Sequence, residues 1–383
     1  MSDAHSWLYH SDFPTHWTRH PLYPLASWVN GLAFRDIHFS SVGLPVIKIA
    51  EVKHGVSGQT KFTEQSFDES VRVRRGDLIF SWSGQPETSI DAFWWQGTDG
   101  WLNQHLFRVT PIPAMDRTFF FYLLRYLKPS FIGIARNKQT TGLGHITRRD
   151  LENIVVAYPP LAEQRAIAEV LGALDDKIEA NRRVIQTAWS LAEVHFRRVT
   201  EADGVDHVPL SELADLSYGK SLPERARQPG SVPVFGSGGV VGYHSSALVT
   251  GPGVIVGRKG TAGAVHWCQS DFFPIDTTFY VQSDHLPMAF LYFVLRSLGL
   301  DRMNFDSAVP GLNRSAALAR LVPTPNSEEI DSFAPVASSL TTMVAASERE
   351  SALLAATRDA ILPKLLSGEL RVRDAETVVK GAV

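Results

Sequence analysis

The sequence has little cysteine, no long apolar run and little excess of charge of either sign. Its 383 residues contain one cysteine, Cys268, which excludes an internal disulfide and a cysteine-only metal site and is typical of a reducing cytoplasm. No uninterrupted apolar stretch approaches the roughly 18 residues that a membrane span needs. Residues 1–10 have no apolar signal-peptide core. We therefore expect a cytoplasmic protein.

The charge distribution does not by itself indicate a ligand. The net charge is −3, and none of the large segments of the chain is strongly basic. A basic face could still be balanced by acidic surface elsewhere, so nucleic acid is neither indicated nor excluded as a ligand. With 44% hydrophobic and 20% charged residues, the composition is that of a globular protein. The length allows two or three domains of about 150 residues.

Common catalytic signatures are also missing. Gly219-Lys220-Ser221 resembles the end of a phosphate-binding loop, but Ala214 stands where that loop needs a glycine. Gly257, Gly260 and Gly263 do not have dinucleotide-loop spacing. The sequence contains neither His-Glu-x-x-His nor Gly-x-Ser-x-Gly. These observations favour a binding or scaffolding protein without catalytic residues or a metal site, rather than an enzyme.

The chain shows a weak internal duplication with a period of about 170 residues. In each half a glycine precedes a strand-like run. After it come, in order, a second strand-like run, an amphipathic stretch, a polar loop and a short apolar strand. The first two features are residues 76–80 and 106–109 in one half, and 253–256 and 278–281 in the other. A chance similarity of strand and helix patterns is the alternative. The shared order of features favours two copies of one mixed α/β domain.

Two segments have the heptad spacing of long helices. The first follows Pro159-Pro160, and the second precedes Gly368, a residue type that commonly ends helices. Each spans about 37 residues, or about 55 Å at 1.5 Å per residue. The apolar or small positions of the first seam are Ile167, Leu171, Leu174, Ile178, Asn181, Ile185, Ala188, Ala192 and His195. A narrow seam of this length predicts an antiparallel coiled coil of the two helices; docking of each helix on its own domain is the alternative.

These features predict an α+β protein with two mixed α/β domains separated by two long helices. The predicted segments are 1–158 for the first domain, 159–204 for the first helix, 205–326 for the second domain, and 327–383 for the second helix and C-terminal tail.

Two groups of loops combine cationic, hydroxyl and amide side chains with glycine. Arginine and lysine suit phosphates and guanine edges, asparagine suits adenine edges, and glycine allows close backbone approach. The candidate DNA-binding residues are Arg136, Lys138, Thr140, Thr141, His145 and Arg148 in the first half and Arg258, Lys259, Thr261, Asn313 and Arg314 in the second. An ordinary solvated loop is the alternative for each group.

The helical motifs resemble one known family. Pro-Pro-Leu-Ala-Glu-Gln-Arg-Ala-Ile-Ala at 159–168, Leu-Asp-Asp-Lys-Ile at 174–178 and Asn-Arg-Arg at 181–183 resemble the conserved helical region of specificity subunits of type I restriction–modification systems. Residues 361–370 resemble the end of that family's second helical region. The second helix begins without the Pro-Pro-Leu-x-Glu-Gln form, so the two helices are not expected to be equivalent partners for other subunits.

This resemblance implies a non-catalytic subunit. Its two target-recognition domains would read a bipartite, asymmetric double-stranded DNA site, and its helices would set the gap. Two methyltransferase subunits would bind S-adenosylmethionine and methylate adenine, and restriction or translocase subunits would use ATP and Mg²⁺, so that this chain itself needs no cofactor. Partner contacts are expected at Glu163, Arg165, Glu169, Arg182 and Arg183, which lie on the outer, charged helix positions.

Two alternatives remain open from the sequence. The recognition subunit of a type IIB-like restriction–methylation enzyme would share this architecture and differ in its partner chains. A coiled-coil adaptor without a DNA role would share only the helices. The target bases cannot be read from the sequence, because base recognition depends on the orientation of a few loop side chains.

Overall fold

The computed structural model describes residues 13–138, 142–202, 204–303 and 311–382. Their contacts divide the chain into two compact units, unit 1 within residues 1–178 and 352–383 and unit 2 within residues 179–351. Each unit has its own main hydrophobic core, centred on α3 in unit 1 and on α7 in unit 2. No helix in the described part of the chain is long and apolar enough to cross a bilayer.

The helices are α1 (Ile49–His54), α2 (Pro86–Ser89), α3 (Arg117–Tyr126), α4 (Lys128–Asn137), α5 (Arg148–Asn153), α6 (Leu161–Thr200), α7 (Met288–Ser297), α8 (Arg314–Leu318), α9 (Ser327–Ser367) and α10 (Val372–Ala382). The strands of unit 1 are β1 (Thr18–Pro21), β2 (Ala26–Asn30), β3 (Leu44–Ile47), β4 (Phe62–Thr63), β5 (Arg72–Val73), β6 (Leu78–Ser81), β7 (Ser83–Gly84), β8 (Asp91–Trp94), β9 (Gly100–Leu102), β10 (Leu106–Pro111), β11 (Gly144–His145) and β12 (Val155–Tyr158). Those of unit 2 are β13 (Asp206–Pro209), β14 (Asp215–Tyr218), β15 (Val232–Gly236), β16 (Gly239–His244), β17 (Gly253–Gly257), β18 (Val265–Cys268), β19 (Phe273–Pro274), β20 (Thr278–Gln282) and β21 (Leu321–Thr324).

The two units repeat one topology. Unit 1 has an antiparallel sheet in the order β2-β10-β6-β8, and unit 2 has the same arrangement as β14-β20-β17-β18. Each unit also pairs its first strand with its last, β1 with β12 and β13 with β21. A parallel pair follows in each, β3 with β9 and β15 with β19. The predicted duplication is therefore confirmed, as is the α+β fold class.

Local chemistry explains where the main helix of unit 1 begins. The Asp116 carboxylate caps α3 by accepting hydrogen bonds from the backbone N–H groups of Thr118 and Phe119, each 2.9 Å long. Helix α6 begins directly after Pro159-Pro160, as predicted. The buried Gln164 side chain donates to the Pro159 carbonyl at 2.9 Å and accepts from the Asp116 backbone N–H at 2.8 Å. Gln164 therefore joins the first turn of α6 to the start of α3.

Helices α6 and α9 pack against each other in an antiparallel sense. In unit 2 the Asn181 amide donates to the Glu350 carboxylate at 2.8 Å, and the rings of Phe196 and Phe333 lie 6.3 Å apart. Residue numbers rise along α6 as they fall along α9, which defines the antiparallel sense. In unit 1 Leu171 and Leu174 of α6 share the core with α9 side chains. The predicted helix pairing is confirmed, and its seam includes the buried Asn181.

One position of the predicted seam is wrong. His195 is only partly buried, whereas Phe196 is 4% exposed and packs on Phe290, Phe293 and Phe333. A straight α-helix has 3.6 residues per turn, so a strict seven-residue spacing drifts by about 20° per heptad. After four heptads the drift moves the buried face by about one residue position. The predicted segment boundaries stay a prediction, because the contact division passes through α6 and α9 instead of following the ends of secondary structure.

Candidate DNA interface

One end of the main sheet in unit 1 carries a cluster of polar and aromatic side chains, of which Asn30 and His105 are exposed and Trp82 and Phe107 are half-buried. Strands β2 and β6 both end there, and β10, which lies between them, begins there. The Trp82 indole N–H donates to the Asn30 side-chain oxygen at 3.0 Å. The same indole stacks on Phe107 at 5.7 Å and lies 5.9 Å from the His105 ring.

The same end of the unit 2 sheet carries a different side-chain pair. Strand β14 ends at Tyr218, whose side chain is 56% exposed, and Arg258 follows the last residue of β17. The Arg258 guanidinium lies over the Tyr218 ring at 5.3 Å and donates to the Asp276 carbonyl through Nε and Nη2 at 3.1 and 2.6 Å. The Tyr218 ring also contacts Phe279 edge-on at 5.0 Å. The pair therefore spans the middle strand, as Trp82 and Asn30 do in unit 1.

Strand register makes these positions equivalent residue by residue. In unit 1 Asn30 lies opposite Phe107, which lies opposite Phe80. In unit 2 Tyr218 lies opposite Phe279, which lies opposite Val256. The backbone N–H groups that follow the two β-strands also bond alike, Trp82 to the His105 carbonyl and Arg258 to the Thr277 carbonyl. The equivalent pairs are Asn30 with Tyr218, Trp82 with Arg258, and His105 with Thr277.

The equivalence continues into the next loop of each unit. The Trp82 carbonyl accepts from the Ile146 N–H at 2.8 Å, and the Arg258 carbonyl accepts from the Leu312 N–H at 2.9 Å. Two residues further on, Arg148 and Arg314 are the first residues of α5 and α8. These two arginines therefore hold the same position in the two units.

The structure brings the first predicted group to one region but gives most of its cations protein partners. Arg136 ion-pairs with Glu87, and the Lys138 ammonium bonds both oxygens of the Asp150 carboxylate at 2.6 and 2.5 Å. Arg148 bonds Glu152 at 2.7 Å and lies over the Tyr23 ring at 4.6 Å. His145 is exposed on β11, which pairs with β7 beside Trp82. Thr140 and Thr141 lie outside the described residues.

The second predicted group meets around the Tyr218 and Arg258 pair. Lys259 is exposed and its backbone bridges to Gly311, and Thr261 is exposed in the same turn. The Asn313 side chain caps α8 by accepting from the Ala316 N–H at 3.0 Å. Arg314 donates to the Leu216 carbonyl at 2.7 Å and ion-pairs with Asp215. A cation with a protein partner must exchange that partner for DNA, so the DNA-binding assignments in both groups stay predictions.

Sequence reasoning missed the strand-end residues Asn30, Trp82, His105 and Tyr218. None of them lies in a glycine-rich or cation-rich stretch. The internal duplication was the usable signal, because aligning residues 76–80 with 253–256 places Trp82 close to Arg258 along the chain.

The predicted partner-contact residues lie on the surface of α6. Arg165 and Glu169 line a groove of about 570 Å³ in unit 1, next to Trp94 and the open surface over Gly172. Glu163 contacts His16 at 3.1 Å. In unit 2 Arg182 and Arg183 are exposed and lie 3.4 and 3.6 Å from the Glu179 carboxylate. These positions are accessible, and their role in assembly stays a prediction.

Within the described ranges, no three histidine, cysteine, aspartate or glutamate side chains form a metal-ligand group. Cys268 is buried next to Ser270, and burial raises the pKa of its thiol. A thiol with a raised pKa is a poor nucleophile and a poor metal ligand at neutral pH.

Comparisons with known proteins show which family the chain is similar to. The family model described as "Type I restriction modification DNA specificity domain" matches residues 33–188. Residues 33–188 are therefore similar to that DNA specificity domain. The resemblance stated from the sequence is therefore confirmed.

Two relatives of the specificity domain are informative. The type I restriction enzyme EcoBI specificity subunit of Escherichia coli is 28% identical over 193 residues, which cover 49% of this chain and 38% of that protein. The putative type I restriction enzyme MjaX specificity subunit of Methanocaldococcus jannaschii is 42% identical over 69 residues, covering 18% of this chain and 16% of that protein. The alignments thus span less than half of either relative.

A solved structure extends the comparison from the specificity domain to the whole fold. The type I restriction–modification S subunit of M. genitalium superposes with a TM-score of 0.60 at 18% identity, covering 93% of this chain and 97% of that chain. At this identity the likeness concerns the fold, including the second unit that lies mostly outside the matched specificity domain.

Proposed function

We propose that this chain is the sequence-reading, non-catalytic subunit of a type I restriction–modification complex. Each unit binds one half of a bipartite, asymmetric double-stranded DNA site. The observation that carries the proposal is the residue-by-residue equivalence of two exposed sheet ends, Asn30 and Trp82 in unit 1 and Tyr218 and Arg258 in unit 2. Two copies of one frame with different side chains suit two half-sites of different sequence.

The partners in this proposal supply the chemistry. Two methyltransferase subunits bind S-adenosylmethionine and methylate adenine, and restriction or translocase subunits use ATP and Mg²⁺. The exposed charges of α6, including Arg165, Glu169, Arg182 and Arg183, contact these subunits. A type IIB-like set of partners would use the same DNA-reading chain, and the identity of the co-purifying chains distinguishes the two systems.

Selection from a randomised duplex DNA library tests the DNA-reading role. The purified full-length chain, alone and with its methyltransferase partner, is expected to enrich two short motifs separated by a fixed gap. Binding should weaken steeply between about 50 and 200 mM salt, because phosphate contacts release counterions. If no motif is enriched under either condition, a coiled-coil adaptor without a DNA role is the better explanation of the chain.

Charge reversal on α6 tests the assembly role. Arg182→Glu combined with Arg183→Glu should weaken co-purification with methyltransferase subunits while the melting temperature stays close to that of the wild type. Arg197→Glu with Arg198→Glu is the matched control, since it makes the same charge change further along the same helix. Equal co-purification of both double variants would remove Arg182 and Arg183 from the proposed contact surface.

A matched lengthening of both helices tests whether they set the gap. Seven residues inserted after Thr187 and seven after Thr342 add about 10.5 Å to each helix and rotate it by about 700°, within about 20° of two full turns. The enriched half-sites should remain and the gap should grow by about three base pairs at about 3.4 Å each. A lengthened protein that enriches the original gap would show that the helices do not set it.

A further inference from the structure

The strand-end positions in the two units fall into two classes. Arg148 and Arg314 are the same residue type at the same position, and each is bonded to protein groups of its own unit. The residues directly before these two arginines, Thr147 and Asn313, also match, because each caps the short helix that follows it. Because these positions have the same chemistry in both units, we infer that they maintain the shared structure of the loop.

The second class has different chemistry in the two units. Unit 1 has an amide, an indole and an imidazole at Asn30, Trp82 and His105. Unit 2 has a phenol, a guanidinium and a hydroxyl at Tyr218, Arg258 and Thr277. The backbone that presents these side chains is the same in both units. In each, the N–H of the residue after β6 or β17 donates to the carbonyl of the residue just before β10 or β20. Only the recognition groups have changed, so these positions are where the two units differ in what they can bind.

We propose that Asn30 with Trp82 in unit 1, and Arg258 with Tyr218 in unit 2, are the equivalent base-discriminating contacts of the two half-sites. This inference rests on the proposed DNA-reading function and deepens it. It assigns duplex DNA base edges as the ligand of both strand-end pairs, and it does not include Arg148 and Arg314 among the base-discriminating contacts.

The geometry of unit 1 prepares an amide for base recognition. An indole N–H can only donate, so it fixes the Asn30 side-chain oxygen toward Trp82 and turns the amide nitrogen away. That amide nitrogen has no hydrogen-bond partner among the described residues, and the oxygen retains a second lone pair. An asparagine amide with both groups available suits the acceptor and donor on an adenine edge.

The geometry of unit 2 prepares a guanidinium instead. The Asp276 carbonyl holds Nε and Nη2, and the Tyr218 ring supports one face of the guanidinium plane. In the described part of the chain the Nη1 amino group has no protein partner. A guanidinium fixed in this way loses little side-chain freedom on binding and suits the two acceptors of a guanine edge.

The test is selection from the randomised duplex library with the full-length chain and single variants. Arg258→Gln should shift one position of one half-site from guanine toward adenine, because glutamine pairs with the adenine edge. Asn30→Ala should relax one position of the other half-site. Each variant should bind the wild-type site about 5- to 150-fold more weakly and leave the opposite half-site unchanged. Trp82→Phe, which keeps an aromatic ring and removes the indole N–H, should act on the same half-site as Asn30→Ala.

Controls separate a local effect from misfolding. Arg320→Gln and Asn153→Ala change exposed residues of the same types in the same units, away from the strand ends, and should enrich the wild-type motif. All variants should melt as the wild type does. The inference is overturned, and the proposed function is left intact, if both Arg258→Gln and Asn30→Ala still enrich the wild-type motif. The same holds if both variants alter the same half-site. A wild-type chain that enriches no motif overturns both.

Discussion

The pairing of α6 with α9 in unit 1 includes one charged cluster whose contribution can be measured. The Asp175 carboxylate accepts from the Tyr122 hydroxyl at 2.6 Å and ion-pairs with Arg358. Burial, together with the Asp175 charge, raises the pKa of Tyr122, so the hydroxyl stays protonated and donates. Arg358→Met removes the cation and keeps a long apolar side chain, which leaves Asp175 with the Tyr122 hydroxyl.

The expected magnitude follows from burial. Exposed ion pairs contribute about 0–1 kcal/mol, whereas breaking a buried pair costs about 3–5 kcal/mol. The Arg358 and Asp175 side chains are 12% and 28% exposed, which places this pair between the two limits. We expect Arg358→Met to lower the free energy of opening of unit 1 by about 2 kcal/mol. In a double-mutant cycle with Asp175→Asn, the coupling energy should be about 1–2 kcal/mol.

Native-state hydrogen exchange is the suitable assay, because a chain with two units has no single free energy of unfolding. Peptides from residues 161–178 and 354–367 report on unit 1, and peptides from residues 185–200 and 327–344 report on unit 2. Arg182→Met is the matched control on α6, since its pair with Glu179 is exposed. If Arg358→Met changes the exchange of the unit 1 peptides no more than Arg182→Met does, the reasoning about this cluster is wrong.

Three further predictions concern stability. Burial alone would raise the pKa of Asp150, but its hydrogen bonds to Lys138 and Thr147 lower that pKa overall. The stability that Asp150 provides should therefore be present above its unfolded pKa of about 3.9. It should be lost as the pH falls through the lower pKa of the folded state. Hydrogen exchange of unit 1 peptides in urea should accordingly show Asp150→Asn about 1 kcal/mol less stable than the wild type from pH 8 to 5, with the difference shrinking below pH 4. A pH-independent difference would contradict this. Gly257→Ala should destabilise unit 2 by about 1–3 kcal/mol, because the added Cβ would lie 2.2 Å from the Thr261 carbonyl oxygen; unchanged hydrogen exchange in residues 253–265 would refute the clash. Phe196→Ala should cost about 3–5 kcal/mol and His195→Ala less than about 1 kcal/mol in urea unfolding followed by exchange of unit 2 peptides, and the reverse order would restore the strict heptad seam.

The sequence alone determined the features that arise from local chemistry. Proline at 159–160 marked the start of α6, and Gly368, with a φ of +77°, marked the end of α9. A positive φ is favourable for glycine and costly for other residues, so a glycine at this position predicts the end of the helix. The seam along α6 followed from a spacing of three and four residues, which any α-helix places on one face. The duplication followed from the order of features along the chain.

Only the tertiary structure decided which surface groups are available to a ligand. The sequence pattern does not distinguish the cations Arg136, Lys138 and Arg314 from free loop cations. Their carboxylate partners come from other segments of the chain. Arg314, for example, meets Asp215, which is 99 residues away in sequence. Trp82 and Asn30 meet across a middle strand although 52 residues separate them. Strand register creates such neighbours through long-range hydrogen bonding, and local sequence pattern does not encode it.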